Sequence, residues 1–367
     1  YIALRIMNMN KTLLHYYRLS CRRLSTKVFD TELKSRQRQK AFDLHDDGYY
    51  DYLREESATR SVTTNIMLQN HHRIYCSKNR LVDKLVDIHA SRKFPIALEI
   101  GSFRGQLFNA LKDNNPSGIE HLVQLDSLID NCDLASKKCN DDNLYEVESI
   151  LSSHISETMD ENIINTYKLR LESEKLPFKP NTFDLIMSSM HLHWINDLPG
   201  MLNQIRTILK PDGVFIATLF GGSTLKELRY SFYLAEQERR GGVAPHTSPL
   251  VHPSDVAGLS QAAGFALPAV DVDTIMVSYP SALSLMEHLW RMGEGHAALN
   301  RQQGVGQDTF LATAALYQEL YGLEDGSVPA TFEIISLIGW GPDSSQPKAC
   351  QRGTATHSLK EITKPKP

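Results

Sequence analysis

Nothing in the 367 residues comes close to the roughly 20 consecutive apolar positions that span a bilayer. No membrane-crossing helix is therefore expected, which leaves peripheral membrane contact open. Cysteine is scarce: Cys21, Cys76, Cys132, Cys139 and Cys350 form no C-x-x-C pair, so neither a zinc site nor a disulfide framework is indicated. Reduced, structural thiols suit a compartment such as the mitochondrial matrix. Acid is missing before Asp30, while Arg5, Lys11, Arg18, Arg22, Arg23 and Lys27 precede it. Base is missing from Asn140 to Tyr167, where Asp141, Asp142, Glu146, Glu148, Glu157, Asp160 and Glu161 accumulate.

Each one-sided charge stretch has a reading. The acid-free leader, with Leu13, Leu14, Ser20 and Ser25, reads as a mitochondrial presequence over residues 1–28; the alternative is an ordinary basic terminus. Without its six cations the formal balance moves from −4 to −10. So acidic a body argues against nucleic-acid binding, which needs a basic face. The base-free stretch is longer than the usual connection between strands and reads as an acidic insertion at about 140–167, a solvated excursion rather than a partner site. Hydrophobic residues at 41% and charged residues at 22% are ordinary for a globular chain.

What is present is an alternation of strand and helix patterns, which predicts βαβ units and a parallel sheet. Strands are expected near 96–100, 121–125, 167–171, 183–188 and 213–219. Residues 64–90 look helical, with Ile66, Leu81, Leu85, Val86 and Ile88 available to pack. A further helix carries Leu198, Met201, Leu202, Ile205, Ile208 and Leu209 at helical spacing, with Asp197 as cap, Pro199 in its first turn and "KPDG" at its end. Beyond it come a short helix stopped at Gly264, a β-rich "VDVDTIMVSY", helices at 281–293 and 308–321, and a closing strand "PATFEIISLIGW". The domain organisation expected is a presequence, an N-terminal helical extension at 29–92, a main α/β domain at 93–340 and a loose tail at 341–367.

Chemistry concentrates at the expected strand ends. "ALEIGSFRGQL" delivers Glu99 to the sheet's carboxyl edge and turns on Gly101 and Gly105 into a helix, the place where ligands settle in open α/β folds. Glu99 can meet a cationic amine or a hydroxyl; the alternative is a plain strand-to-helix turn. "HLVQLD" ends in Asp126, at a spacing that suits an acceptor for a ribose diol. Glu172 follows the third strand, where an acid can reach an adenine amino group. Ser188, Ser189, His191, His193 and Trp194 stand at or beyond the fourth strand's end, on the side of the reacting group. No two histidines and a carboxylate have the spacing of a non-haem iron site, His45-x-Asp47 included, so no metal is assigned and the histidines read as structural.

With those residues assembled, the chain resembles the class I S-adenosylmethionine-dependent methyltransferases. Within them it is similar to the mitochondrial complex I assembly factor 5 family of protein-arginine hydroxylases. The likeness rests on "FDTELKSRQRQKAF", "ALEIGSFRGQL", "LPFKPNTFDLIMSSMHLHWINDLPGMLNQIRTILKPDGVFIATLFGGSTLKELR", "SVPATFEIISLIGWGP" and "SQPKACQRGTAT". It implies a Rossmann-like, doubly wound α/β sheet, mostly parallel with an antiparallel closing strand. It implies hydroxylation of an arginine in an iron–sulfur subunit of complex I's peripheral arm, on the matrix side, among other assembly factors and with peripheral contact to the inner membrane. S-adenosyl-L-methionine is the implied cofactor: Glu99, Gly101 and Gly105 at its methionine end, Asp126 at the ribose, Glu172 near the adenine. Ser188, Ser189, His193 and Trp194 fall on the substrate side.

Phe103 departs from the family's loop, which carries glycine there. A left-handed Phe costs about 1–2 kcal/mol, and its ring could fill cofactor space. Hydroxylation also needs an oxidant, of a kind that iron or flavin supplies and a methyl-donor pocket does not. The oxidant is unknown from the sequence, and no catalytic residue is assigned. Two alternatives stand beside the hydroxylase: a methyltransferase acting on a protein, and a non-catalytic assembly chaperone on a degenerate methyltransferase fold.

Overall fold

The computed structural model describes residues 27–44, 50–58, 74–75, 81–88, 92–112, 118–128, 164–171, 174–301 and 304–347. All five cysteines, His45, Asp47, Ile66, Glu172, residues 1–26 of the leader and residues 140–163 of the acidic stretch lie outside them.

The strands are β1 (Ile74–Tyr75), β2 (Ile96–Ile100), β3 (His121–Asp126), β4 (Asn165–Arg170), β5 (Phe183–Ser189), β6 (Leu209–Phe220), β7 (Ala266–Tyr279) and β8 (Val328–Trp340). They form one sheet in the order β1-β7-β8-β6-β5-β2-β3-β4. β4, β3, β2, β5 and β6 run parallel, with Leu98 opposite both Val123 and Ile186. β8 inserts antiparallel between β6 and β7, placing Ile216 opposite Ile338 and Ile275 opposite Phe332. β1 closes the edge antiparallel to β7.

β2, β3 and β5 are largely buried on both faces because helices cover both, whereas β4, at the sheet's edge, exposes Lys168 and Arg170. The helices are α1 (Thr31–Asp43), α2 (Tyr52–Ala58), α3 (Leu81–Asp87), α4 (Gln106–Lys112), α5 (Leu198–Ile208), α6 (Lys226–Arg240), α7 (Pro253–Ala262), α8 (Ala282–Arg291) and α9 (Gln307–Tyr321). Leu98, Val123 and Ile186 pack with Met201, Leu202 and Ile205 of α5 and Val256 of α7. On the other face, Ala97, Leu122 and Leu185 pack with Leu81 and Leu85 of α3 and Leu107 and Leu111 of α4. A separate core joins β7 and β8 to α2, α6, α8 and α9 through Tyr52, Phe232, Leu285, Tyr317 and Phe332. Among the described residues no helix is long and apolar enough to cross a membrane.

Three sequence expectations need correcting. Residues 64–90 are not one helix: Ile74–Tyr75 is a strand, the helix described in this span is Leu81–Asp87, and Val86 is exposed. β4 begins at Asn165, inside the span expected to be insertion. "KPDG" does not end α5, which stops at Ile208 where the Leu209 N–H bonds to the Ile205 carbonyl. It lies instead within β6, where Asp212 adopts φ 58° and its N–H bonds to the Gly341 carbonyl at 3.0 Å. The β5–β6 register shifts across this stretch, Phe183 facing Leu209 and Leu185 facing Val214, so Pro-Asp-Gly makes its turn as a bulge inside the strand. Asp197 does cap α5, accepting from the Gly200 N–H at 2.9 Å.

Candidate functional site

The carboxyl ends of β2, β3 and β5 meet where the sheet's strand order reverses, and the turn after β2 is built for close approach. Gly101 has φ 77°, and a Cβ on it would lie 2.2 Å from the His191 ring, so only glycine fits beside that imidazole. Phe103 does adopt the left-handed region, at φ 47°, and Gly105 follows at φ 79°. Glu99 is 1% exposed and its carboxyl takes one hydrogen bond, from Gln124 Nε2 at 2.8 Å. Burial pushes that carboxyl up to about 8, with the nearby Asp126 charge adding to the effect and the Gln124 bond opposing it.

Asp126 meets protein groups rather than an open cleft. Its Oδ2 accepts from Arg38 at 2.8 Å and from the Phe103 N–H at 2.8 Å, and its Oδ1 accepts from the Leu128 N–H at 3.0 Å. Burial alone would raise this carboxyl, but Arg38, His191 and the backbone donors together hold it below the usual range. Desolvation, then the charge of Arg38, push the His191 imidazole down to about 3.

The cation on Asp126 comes from the N-terminal segment. Residues 28–30 are pinned to the main domain by Asn196, whose side chain accepts from the Val28 and Phe29 N–H groups, and by the Asp30 N–H to the Ala297 carbonyl. Asp30 then caps α1 by accepting from the Leu33 N–H. α1 buries Lys34, Arg38 and Ala41, one face at i, i+4 and i+7, with cations where a helix ordinarily puts aliphatics. Arg104 receives the far end of α1, donating to the carbonyls of Ala41, Phe42 and Leu44 and pairing with Asp51. Phe103 packs with Ala41 and Leu128, and its ring centre lies 4.6 Å from the Arg54 guanidinium and 5.6 Å from that of Arg38.

A second acid, Glu294, gathers His193 and Trp194, two residues expected on the substrate side. It accepts from Trp194 Nε1 at 2.8 Å and faces His193 Nε2 at 3.3 Å. Arg54 pairs with its other oxygen, and Lys34 Nζ lies 3.7 Å away. Although burial would raise it, Lys34, His193 and Arg54 keep this carboxyl ionised. Lys34 also sits over the Trp194 ring, 3.0 Å from its centre, and burial lowers its amine well below the usual range. Beside this cluster lies a cavity of about 370 Å³, bounded among others by His193, Trp194, Phe232, Leu289, Glu294 and His296.

The structure thus brings Glu99, Gly101, Gly105 and Asp126 together at one edge, and His193 with Trp194 at the neighbouring cavity. Ser188, expected on the substrate side, is fully buried and donates to the Ile100 carbonyl at 3.0 Å, so it ties β5 to β2 instead. Ser189 shares a hydrogen bond with Ser57 of α2 at 2.8 Å. Glu172 lies outside the described residues, and among those described no three His, Cys, Asp or Glu side chains are grouped to hold a metal. Sequence reasoning missed Lys34, Arg38, Arg54 and Glu294. The one available signal was the cationic i, i+4 pair inside "ELKSRQRQKAF", which reads as a solvated face until the acids opposite it are known.

Known proteins share both the fold and the chain. A family model described as a methyltransferase domain matches residues 98–217. The zebrafish (Danio rerio) protein named arginine-hydroxylase NDUFAF5, mitochondrial, is 41% identical over 337 residues, 92% of this chain and 90% of its own. The human protein of that name is 40% identical, covering 92% and 84%. That of Dictyostelium discoideum is 36% identical over 338 residues, covering 92% and 70%. This chain belongs to the mitochondrial arginine-hydroxylase NDUFAF5 family, on a class I methyltransferase fold.

Proposed function

We propose that the protein hydroxylates an arginine side chain in an iron–sulfur subunit of complex I's peripheral arm, in the mitochondrial matrix, during assembly of that complex. The observation that carries this reading is identity of 36–41% to arginine hydroxylases over 92% of the chain. The basic, acid-free leader supports import. Other complex I assembly factors are the neighbours such a role implies, with peripheral contact at the matrix face of the inner membrane. The acidic body disfavours nucleic acid as a partner.

S-adenosyl-L-methionine is the cofactor the fold implies, and part of a site for it stands at the expected edge: the Gly101 cradle, Glu99 and Asp126. With α1 docked, however, these residues do not fit it. The space bounded by Glu99, Gly101, Phe103 and Ser189 is about 10 Å³, roughly one water. The Asp126 carboxylate is already held by Arg38 and two backbone donors. In this arrangement Asp126 holds α1 and the Phe103 loop in place rather than a ribose. Oxygen insertion at an unactivated carbon draws on an oxidant of iron or flavin type, which the proposal leaves as a separate component.

A second reading, methyl transfer to a protein, is favoured by the methyltransferase-domain match over residues 98–217. Peptide mass analysis of the iron–sulfur subunits, from cells with and without the protein, separates the two. A protein-dependent oxygen on arginine supports hydroxylation, and a methylene favours methyl transfer. An unmodified target removes both and leaves an assembly chaperone.

A further inference from the structure

Glu294 and Trp194 form a buried cation box that α1 fills from within the same chain. The box has an aromatic face, a carboxylate and an edge donated by His193, the chemistry that holds an alkylammonium or a guanidinium. Lys34 Nζ lies 3.0 Å from the Trp194 ring centre and 3.7 Å from Glu294 Oε2, and it also donates to the Gly293 carbonyl. One turn along the same helix face, Arg38 engages the acid at the cofactor edge. α1 therefore sets a cation against each of the two acids.

The box is continuous with the large cavity, since His193, Trp194 and Glu294 line both. That cavity has more room than any packed core void and walls from Phe232 and Leu289 that suit an aliphatic stem. It also holds an unanswered polar atom: His296 Nε2 is buried without a hydrogen-bond partner, while its Nδ1 faces Ser248 Oγ at 3.2 Å. Burial, then the neighbouring His246, push that imidazole down to about 4, so at neutral pH it is uncharged. An uncharged ring nitrogen can accept from a guanidinium N–H.

We propose that the Trp194–Glu294–His193 box is the seat of the target arginine, and that Lys34 occupies it as an internal competitor until α1 withdraws. This rests on arginine being the substrate, and adds where its guanidinium sits and what holds the place beforehand. The incoming guanidinium takes the position of the Lys34 amine over Trp194, pairs with Glu294, and directs a remaining N–H toward His296. Arg54 stays on the other oxygen of Glu294 in both states.

The test uses the full chain and N-acetyl-L-arginine methylamide as probe, with the citrulline counterpart as a neutral isostere. Lys34→Met keeps the apolar stem, removes the competing cation and leaves Glu294 paired with Arg54, His193 and Trp194, and a urea unfolding curve taken alongside checks that the variant is folded. An internal competitor lowers apparent affinity by the fraction of time it holds the site. Calorimetry is therefore expected to show the arginine probe binding Lys34→Met about tenfold tighter than wild type, with citrulline about tenfold weaker than arginine in that variant. Equal affinity in wild type and Lys34→Met, or no preference for arginine over citrulline, overturns the proposal. Its failure is separable from that of the hydroxylase reading. An oxygenated target in cells with no gain in Lys34→Met sinks only the box. Tight, cation-selective binding with no oxygenated target sinks only the reaction.

Discussion

Phe103 and Glu99 sit within a few residues of each other and are held in uncomfortable states for different reasons. Phe103 lies at φ 47°, where a non-glycine residue costs about 1–2 kcal/mol, yet its buried ring packs with Ala41, Leu128 and the Arg54 guanidinium. Removing a buried Phe side chain costs about 3–5 kcal/mol, so packing outweighs relief of strain. Phe103→Gly is expected to lower stability by roughly 2 kcal/mol in urea unfolding, because the ring holds α1 rather than merely obstructing a loop. A variant as stable as wild type would show that the ring carries no packing energy. Glu99 is strained electrostatically, its carboxyl raised to about 8 by burial. A carboxyl raised in the folded state binds its proton there more tightly than in the unfolded chain. Its contribution is full below the unfolded value near 4.5 and is lost as pH rises toward 8. Glu99→Gln mimics the protonated form, so its stability relative to wild type is expected to rise between about pH 5 and 8, by up to about 1.4 kcal/mol per unit. Parallel stability curves across that range would place the Glu99 proton elsewhere.

At the scale of elements, α1 is the helix whose chemistry departs furthest from its sequence pattern. An amphipathic helix is read from apolar spacing, and "TELKSRQRQKAFD" has almost none, so a helical extension is legible there but its burial is not. It is buried because acids at the ends of β3 and beyond α8 answer its cations. Its Arg38–Asp126 pair is nearly dry, with side-chain exposures of 6% and 0%. Breaking one partner of such a pair costs about 3–5 kcal/mol, since the other charge is left buried. Arg38→Met is expected to lose about 3 kcal/mol, and adding Asp126→Asn to recover most of it. A double-mutant cycle with additive losses would contradict a direct pair. By contrast β2, β3 and β5 were legible, since "IALEI", "HLVQLD" and "FDLIMSS" are short apolar runs closed by turn signals. β6 was legible in place but not in extent, because the pairing of Asp212 with Gly341 is long-range.

For the whole molecule, the sequence made the α/β sheet visible, and with it the edge where Glu99, Gly101 and Asp126 converge. It hid the second acid. Glu294 follows a helix in a stretch with no strand-end signal, and only the folded chain brings it to Trp194, 100 residues away in sequence. The cluster around Glu294 is thus assembled from α1, α2, the turn after β5 and the turn after α8, segments that no local pattern links. Family membership joins these parts to arginine chemistry, and the most direct test is the fate of that arginine. Cells deleted for the protein would be re-supplied with this chain under heavy dioxygen, and the iron–sulfur subunit's arginine peptides weighed. One heavy oxygen is expected to return to a single arginine only when the chain is present. An arginine that stays unmodified, or gains a methylene in place of oxygen, would contradict the hydroxylase reading.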